Sequence, residues 1–191
     1  MKFTVYNTAT GEVKFGGMAD EPTILARVGE TVLLGQEFNS GYISNGEHHD
    51  LPPSPSPTHV FDYSQKQWVD PRSLEQVRAD KNARINAARL RANQSTFTFA
   101  GKQIAVDPLS RSDIDGAHGA WLLTGGPPPG WPGGWKAVDN SIVPIPDMAT
   151  WAAFYGTMVA TGTANFNHAQ VLKAQLAAAT TIAEVESVPD W

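Results

Sequence analysis

The sequence contains no cysteine, and this absence excludes several kinds of site at once. Disulfide bonds, thiolate-bound zinc, iron–sulfur clusters and thiol catalysis all require cysteine side chains. Small secreted domains usually depend on disulfides because their hydrophobic cores are small. We therefore do not expect a disulfide-stabilised extracellular module.

Long apolar runs and an excess of positive charge are also missing. The formal net charge is −5, so overall electrostatics provide no attraction for nucleic acid. No apolar stretch reaches the roughly 18 residues that a membrane span needs, and the N-terminal sequence MKFTVYNTATGEV does not resemble a signal peptide. We expect synthesis as a soluble protein in the cytosol of the cell that makes it, with no nucleic-acid or membrane partner.

Hydrophobic residues make up 41% of the 191 residues, which is enough for a folded core. Much of this share is alanine, so the aliphatic supply is small, and small cores often depend on a partner for stability. No sequence motif repeats at a fixed period, so a solenoid or a β-helical shaft is not predicted.

Residues 1–50 predict a small β-rich module. Apolar residues alternate on both sides of a glycine turn within residues 3–15, which is typical of a β-hairpin. Residues 31–34 predict a third strand, and residues 42–43 a fourth strand that enters an Asn-Gly turn. Residues 51–58 follow with four prolines, which predict a stiff, extended polyproline II linker.

Residues 59–191 predict an α+β C-terminal domain, so the fold class of the whole chain is α+β. A short strand pair comes first, and then a helix from Pro71 to about Ala92 with Asp70 as its N-cap. The two heptad registers that start at Leu74 place three and two cations on the seam. We therefore predict a helix packed within the domain rather than a coiled coil.

Two hairpins and further helices complete this domain. Residues 96–106 and 135–143 have the alternation and turns of hairpins, and a helix between them is predicted to begin at Ser110. Residues 147–188 are helical and rich in alanine, with a predicted break at Gly162 and Asn165 and a final helix capped by Thr181 and Glu184. This last region carries so few charges that we expect it to pack against another chain.

No catalytic or metal constellation is predicted, and neither is a cofactor. The nearest approach to a metal cluster is His48, His49 and Asp50 with His59, but neighbouring residues on a strand point to opposite faces and no second motif completes the ligand set. His118 lies on an apolar helix face, as core or interface histidines do. Simple turn or capping roles fit the aspartates of the second half better than a glycosidase pair, and these are Asp107, Asp113, Asp115, Asp139 and Asp147.

The candidate interface residues are cationic or aromatic. The basic helix can be a solvated face, a docking surface for an acidic protein or, with least support, for DNA. Trp131 and Trp135 flank Pro-Gly-Gly in a Gly/Pro-rich loop, where they can cover the core, bind a protein or stack on sugar rings. The full set is Arg78, Lys81, Arg84, Arg89, Trp131, Trp135, Trp151 and Tyr155.

The order of motifs from Asp70 to Val188 resembles an uncharacterised C-terminal domain of tail-fibre and tail-associated proteins of tailed bacteriophages. The motifs are ARINAARL, FTFAGKQIAVDPLSRSDIDGA, WKAVDNSIVPI, NFNHAQVL and ATTIAEVESV. The front half is more loosely similar to the N-terminal module of such proteins, through VYNTATGEV, YISNGEHHDLP and FDYSQKQWVD.

The resemblance implies a non-enzymatic structural component of a tail fibre or tail tip, located in the virion and involved in tail assembly and host attachment. The missing repetitive shaft favours an adaptor, tip or accessory subunit, with residues 1–50 as a candidate virion anchor. Expected partners are other phage tail or tail-fibre proteins and further copies of the chain in three-fold or six-fold symmetry, with a host surface receptor as another candidate. Two alternatives stay open: a tail-fibre assembly chaperone, and a receptor-binding or glycan-binding module.

Overall fold

The computed structural model describes residues 1–191 and divides them into two compact units, residues 1–72 and 73–191. Both units contain β-strands, and all four α-helices lie in the second unit. The predicted α+β fold is therefore confirmed.

The first unit is built from a three-stranded antiparallel sheet and two hairpins. Strands β1 (Lys2–Asn7), β2 (Val13–Met18) and β3 (Glu30–Leu34) form the sheet in the order β2-β1-β3. A short 3₁₀ helix, Pro22–Leu25, connects β2 to β3. The hairpins are β4 (Tyr42–Ser44) with β5 (Glu47–His49), and β6 (Val60–Asp62) with β7 (Gln67–Val69).

Gly11 joins the first sheet to the β4–β5 hairpin. Ile43 N donates a hydrogen bond to the Gly11 carbonyl at 2.8 Å. A Cβ atom at Gly11 would lie 2.1 Å from the Ile43 carbonyl oxygen, and the backbone there has a positive φ of 70°. Only glycine combines this close approach with this backbone conformation.

The proline-rich segment lies inside the first unit, and the structure corrects the prediction of an extended linker between two domains. Trp68 Nε1 donates to the Pro52 carbonyl at 2.9 Å, and Ser54 Oγ donates to the Ser56 carbonyl at 2.7 Å. His59 N also donates to the Ser56 carbonyl at 3.2 Å, which closes a turn at residues 57–58. The β6–β7 hairpin also belongs to this unit, since the Phe61 ring stacks on Tyr42 with centroids 5.7 Å apart.

Helix α1 (Leu74–Asn93) opens the second unit, and its N-cap is Ser73 rather than the predicted Asp70. Ser73 Oγ accepts from Gln76 N at 3.1 Å, while the Gln76 side chain accepts from Ser73 N at 2.8 Å. This reciprocal pair is a capping box. The Asp70 carboxylate instead binds the Arg72 guanidinium, which lowers the pKa of Asp70 to about 2.

Two hairpins and helix α2 follow α1. Strands β8 (Thr96–Phe99) and β9 (Lys102–Ala105) form the first hairpin, and β10 (Gly134–Lys136) and β11 (Ile142–Pro144) form the second, as predicted. Helix α2 (Pro108–Thr124) begins at the Asp107 cap rather than at Ser110. Asp107 outcompetes Ser110 because its carboxylate accepts from both Leu109 N and Ser110 N.

Helix α3 (Met148–Ala178) runs through 31 residues without interruption, so the predicted break at Gly162 and Asn165 is wrong. Its alanine-rich turns have high helix propensity. Asn165 Nδ2 donates to Asn93 Oδ1 of α1 at 2.9 Å, so a polar residue becomes a contact between helices. The predicted capping box of Thr181 and Glu184 starts helix α4 (Ile182–Ser187).

Two hydrophobic clusters form the core of the second unit. One joins α1, α3 and α4 through Val77, Ile85, Leu172, Leu176 and Val185. The other is rich in aromatic rings and is formed by α2, α3 and the two hairpins. None of the helices combines the length and the apolar character that crossing a membrane would require.

Candidate functional site

Trp131 in the Gly/Pro-rich loop and Trp135 in β10 lie on either side of Gly134 in the sequence, where the backbone approaches β11 closely. A Cβ atom at Gly134 would lie 2.3 Å from the Val143 carbonyl oxygen, so the strand pair can form here only around glycine. Ile145 N donates to the Gly133 carbonyl at 2.9 Å. The segment that carries Trp131 and Trp135 is therefore fixed against β11.

Both tryptophans pack onto the aromatic core and do not protrude from a free loop. The Trp151 ring is fully buried, with its centroid 5.7 Å from that of Trp131 and 6.0 Å from that of Trp135. Trp131 Nε1 also donates to the Ile145 carbonyl at 3.4 Å. The two indoles remain half-buried, so part of each ring stays accessible.

The accessible parts of these rings line a cleft of about 570 Å³ in the second unit. Its other walls are the first turns of α2, the end of β9 and the turn between β10 and β11. The side chains of Asp113, Lys136 and Asn140 line it and make no hydrogen bond or ion pair within the chain. The cleft thus combines two aromatic surfaces with three unpaired polar groups. The side chains that line the cleft include those of Ser110, Asp113, Trp131, Trp135, Lys136 and Asn140.

The turn that carries Asn140 is held rigidly. The Asp139 carboxylate accepts from Lys102 Nζ at 2.7 Å and from Ser141 Oγ at 2.5 Å. These bonds stabilise the charged form and keep the pKa of Asp139 well below its ordinary range. Val138 N also donates to the Gln103 carbonyl at 2.8 Å, which ties the turn to β9. Asn140 itself has a left-handed backbone, with φ 64°.

The α2 wall of the cleft is fixed by its N-cap. The Asp107 carboxylate accepts from Ser110 Oγ at 2.6 Å and from Ser110 N at 3.1 Å. These bonds to Ser110 lower the pKa of Asp107, so the cap is ionised at neutral pH. Asp113 follows one turn later on the helix.

His118 and Tyr155 lie beside the aromatic core in a stacked pair, with ring centroids 3.7 Å apart. Trp151 Nε1 donates to His118 Nδ1 at 3.2 Å, which requires a neutral ring with its proton on Nε2. The Tyr155 hydroxyl donates to Asp115 Oδ1 at 3.1 Å. Burial of the ring is the main cause that raises the pKa of Tyr155, and the Asp115 carboxylate raises it further. The histidine is thus half-buried against the aromatic core, and its apolar helix face had predicted a core or interface position.

The basic residues of α1 are not brought to the cleft. Arg78 donates to the carbonyls of Leu176 and Ala179 at the end of α3, at 3.3 and 2.8 Å. The guanidinium of Arg89 lies 4.8 Å from the centre of the Phe166 ring. Arg84 remains largely exposed, 3.9 Å from Asp190.

Two of the predicted interface residues are buried, and the structure corrects their assignment. The Lys81 side chain is 5% exposed and donates to Asp190 Oδ1 at 2.7 Å. Trp151 is the enclosed centre of the aromatic cluster. Neither side chain can contact a partner in this fold.

The polar residues of the cleft were not predicted as site residues. The sequence offered one signal, the Asp-Asn turn directly after the tryptophan strand, which places Asn140 near Trp135. No local pattern distinguishes Asp113 from an ordinary helix-start carboxylate. The histidines of the first unit form no cluster: His48 stacks on Phe38 at 3.7 Å and donates to the Ser40 carbonyl, and no group of three metal-binding side chains occurs in the chain.

A family comparison covers the unit that contains the cleft. Residues 76–189, well over half of the chain, match the model of the family described as "Domain of unknown function (DUF4376)". The chain belongs to the DUF4376 family. The DUF4376 domain coincides closely with the second compact unit, residues 73–191, and the first unit lies outside the matched residues. No curated protein and no solved structure matches the chain.

Proposed function

We propose that this DUF4376 protein is a structural, non-enzymatic subunit of a bacteriophage tail-fibre or tail-tip apparatus. It would be an adaptor, tip or accessory subunit, made in the host cytoplasm and incorporated into the virion tail. The observation that carries a structural role is the presence of strongly exposed apolar side chains on each compact unit. The link to phage tails is supported by the motif resemblance.

Three strongly exposed apolar residues of the first unit lie between the end of β2 and the start of β3. Met18, Ile24 and Val28 are each more than two thirds exposed. Burying one such side chain in an interface contributes about 2 kcal/mol. Three within eleven consecutive residues therefore provide a contact of useful strength for a neighbouring protein.

The second unit has its own exposed apolar residues at the C-terminal end of α2. Leu122 and Leu123 are consecutive and exposed, and Leu123 is 89% exposed. The helix ends directly after them at Gly125, which adopts the left-handed cap conformation with φ 69°. A chain with an apolar surface on each of its units fits a protein that joins different neighbours.

The proposal further includes assembly in several copies with three-fold or six-fold symmetry. It is supported by the weakly charged surface of α3, in which Lys173 is the only charged side chain between Met148 and Ala178. Copies can meet through such a surface without repulsion between like charges.

The test is quantitative mass spectrometry of gradient-purified phage particles, against a tail protein of known copy number. A count that is a multiple of three or six is expected. Complete absence from particles would overturn the proposal, and a trace count would support the assembly-chaperone alternative.

Matched variants connect the count to the structure. Ile24→Asp with Val28→Asp, and separately Leu122→Asp with Leu123→Asp, should reduce incorporation because each places charge on an apolar surface. Asp80→Asn, on the exposed side of α1, is the control and should incorporate normally. Unchanged incorporation of both double variants would show that these surfaces are not the contacts.

A further inference from the structure

We propose that the cleft lined by Trp131 and Trp135 binds a neutral hexopyranose unit of a glycan. The cleft lies entirely within the second unit. The binding is therefore a property of the chain itself and does not depend on the proposed role in a phage tail.

The two indoles provide the stacking surface. The faces of a pyranose ring carry C–H bonds with slight positive charge, which are attracted to the negative face of an aromatic ring. Contacts with the Trp151 ring beneath hold both indoles in place. A surface fixed before binding loses little conformational freedom when the ligand arrives. The Trp135 N–H makes no hydrogen bond within the chain and is left for a ligand.

The unpaired polar groups around the rings suit hydroxyl groups. Each sugar hydroxyl donates one hydrogen bond and accepts others. The Asp113 carboxylate accepts, the Lys136 ammonium donates, and the Asn140 amide does both, and all three side chains are unpaired. A volume of about 570 Å³ lies within the range of small-molecule sites, in which aromatic walls and a few polar groups orient the ligand.

The charge of the cleft favours a neutral sugar over an acidic one. Asp113 and Lys136 carry opposite charges, so their sum is zero. An acidic sugar or a phosphate gains no net attraction there, because the Lys136 ammonium and the Asp113 carboxylate act on its charge in opposite directions, and it loses hydration of that charge on binding. A wholly apolar ligand is equally unsuited, because it would bury three polar groups without partners.

The experiment titrates the full chain with four methyl pyranosides, of glucose, galactose, mannose and N-acetylglucosamine, followed by saturation-transfer NMR and by the indole N–H signals. We expect saturable binding of at least one, with the strongest transfer to its axial ring protons and a shift of the Trp135 indole signal. Glucuronic acid, the charged comparator, should bind at least about tenfold more weakly, a difference of about 1.4 kcal/mol. Absence of saturable binding by all four neutral sugars would overturn the proposal.

Polar substitutions test the site without disturbing the core. Asn140→Gly removes the amide and keeps a residue that tolerates the left-handed backbone, and Asp113→Ala leaves a good helix former on an exposed face. Each should weaken sugar binding by about tenfold. The matched controls are Asn45→Gly, at another left-handed turn position with φ 52°, and Asp80→Ala, on the exposed face of α1. Both controls should bind like the wild type.

Trp135→Ala should abolish binding by removing one stacking surface. Because Trp135 also contacts Trp151 and Phe154, this variant can lose structure, and the two polar variants then decide the question. If Asn140→Gly and Asp113→Ala both bound sugar like the wild type, the cleft would not be the site. Particle mass spectrometry involves no sugar, so failure of this inference and failure of the proposed tail role are separate results.

Discussion

Replacing Trp151 should destabilise the second unit strongly, because this side chain is the buried centre of its aromatic core. It is 0% exposed. Its ring centroid lies 5.4 Å from that of Phe154, 5.7 Å from that of Trp131 and 5.9 Å from that of Trp121. Truncating a buried aromatic residue to alanine costs about 3–5 kcal/mol, and we expect about 4 kcal/mol for Trp151→Ala.

Trp151→Phe separates ring packing from the hydrogen bond. Phenylalanine keeps an aromatic ring in place, but it leaves a smaller void and removes the N–H that His118 Nδ1 accepts from at 3.2 Å. The lost hydrogen bond costs about 1 kcal/mol and the void about as much again, so we expect about 2 kcal/mol.

The assay is urea unfolding followed by the helical band of the far-ultraviolet circular dichroism spectrum. All four α-helices lie in the second unit, so this signal reports on that unit. Leu123→Ala is the control, because Leu123 is exposed and its truncation should change stability by less than about 0.5 kcal/mol. If Trp151→Ala lowered the free energy of unfolding by less than about 1 kcal/mol, the ring could not be tightly packed, because truncating a packed aromatic residue destabilises a core by more than that.

Three further predictions concern the ends of elements and the joints between them. The hydrogen bond from Lys81 keeps the pKa of Asp190 below its ordinary value of 3.8, so the pair stabilises the fold above that value and the contribution is lost as the pH falls through the lowered pKa. Asp190→Asn should therefore weaken the fall of the melting temperature on the acid side of its pH profile. The control Asp80→Asn should have the wild-type profile. Identical profiles for the wild type and both variants would contradict this prediction. Ser73→Ala should lower the stability of the helical unit by about 1 kcal/mol because the capping box is lost, whereas Asp70→Ala should leave the helical transition unchanged; the reverse result would restore Asp70 as the cap. Gly11→Ala should destabilise the first unit by more than about 2 kcal/mol, because its Cβ would meet the Ile43 carbonyl and its φ is positive. The control Gly29→Ala, at a position with a positive φ and open space, should destabilise it by only about 1 kcal/mol. Hydrogen exchange of the β1 amides measures the difference, and equal losses of stability would show that the close contact is unimportant.

Local patterns predicted the fold well where short-range chemistry decides it. The turn of Ala100 and Gly101 has positive φ at both positions, and it lies between alternating residues that form β8 and β9 as predicted. The Thr181–Glu184 capping box likewise needs only four consecutive residues. The N-cap predicted at Asp70 is wrong by three residues, although Ser73 and Gln76 have the sequence pattern of a capping box. The capping box formed at Ser73, and Arg72 engaged the Asp70 carboxylate.

Longer-range contacts decided the elements that the sequence could not predict. Gly162 and Asn165 stay helical because α3 lies against α1, where Asn165 finds the amide oxygen of Asn93 72 positions earlier. The proline-rich segment turns back because Trp68, sixteen positions further on, donates to Pro52. The cleft has the same origin, since Asp113 on α2 and Asn140 after β10 become neighbours only when the hairpins pack on the helix.

Two basic residues of α1 make contacts inside the second unit and are not available to a partner. A basic helix on its own favours docking to an acidic partner, yet Arg78 is used on the carbonyls at the end of α3 and Lys81 on Asp190. Cations at a helix C-terminus stabilise its exposed carbonyls and its dipole. Arg78 of α1 therefore stabilises the C-terminal carbonyls of α3, because the last turn of α3 contains no basic residue of its own. Arg78 and Lys81 therefore stabilise the second unit from within, and the candidate partner surfaces of this protein are the exposed apolar residues and the tryptophan-lined cleft.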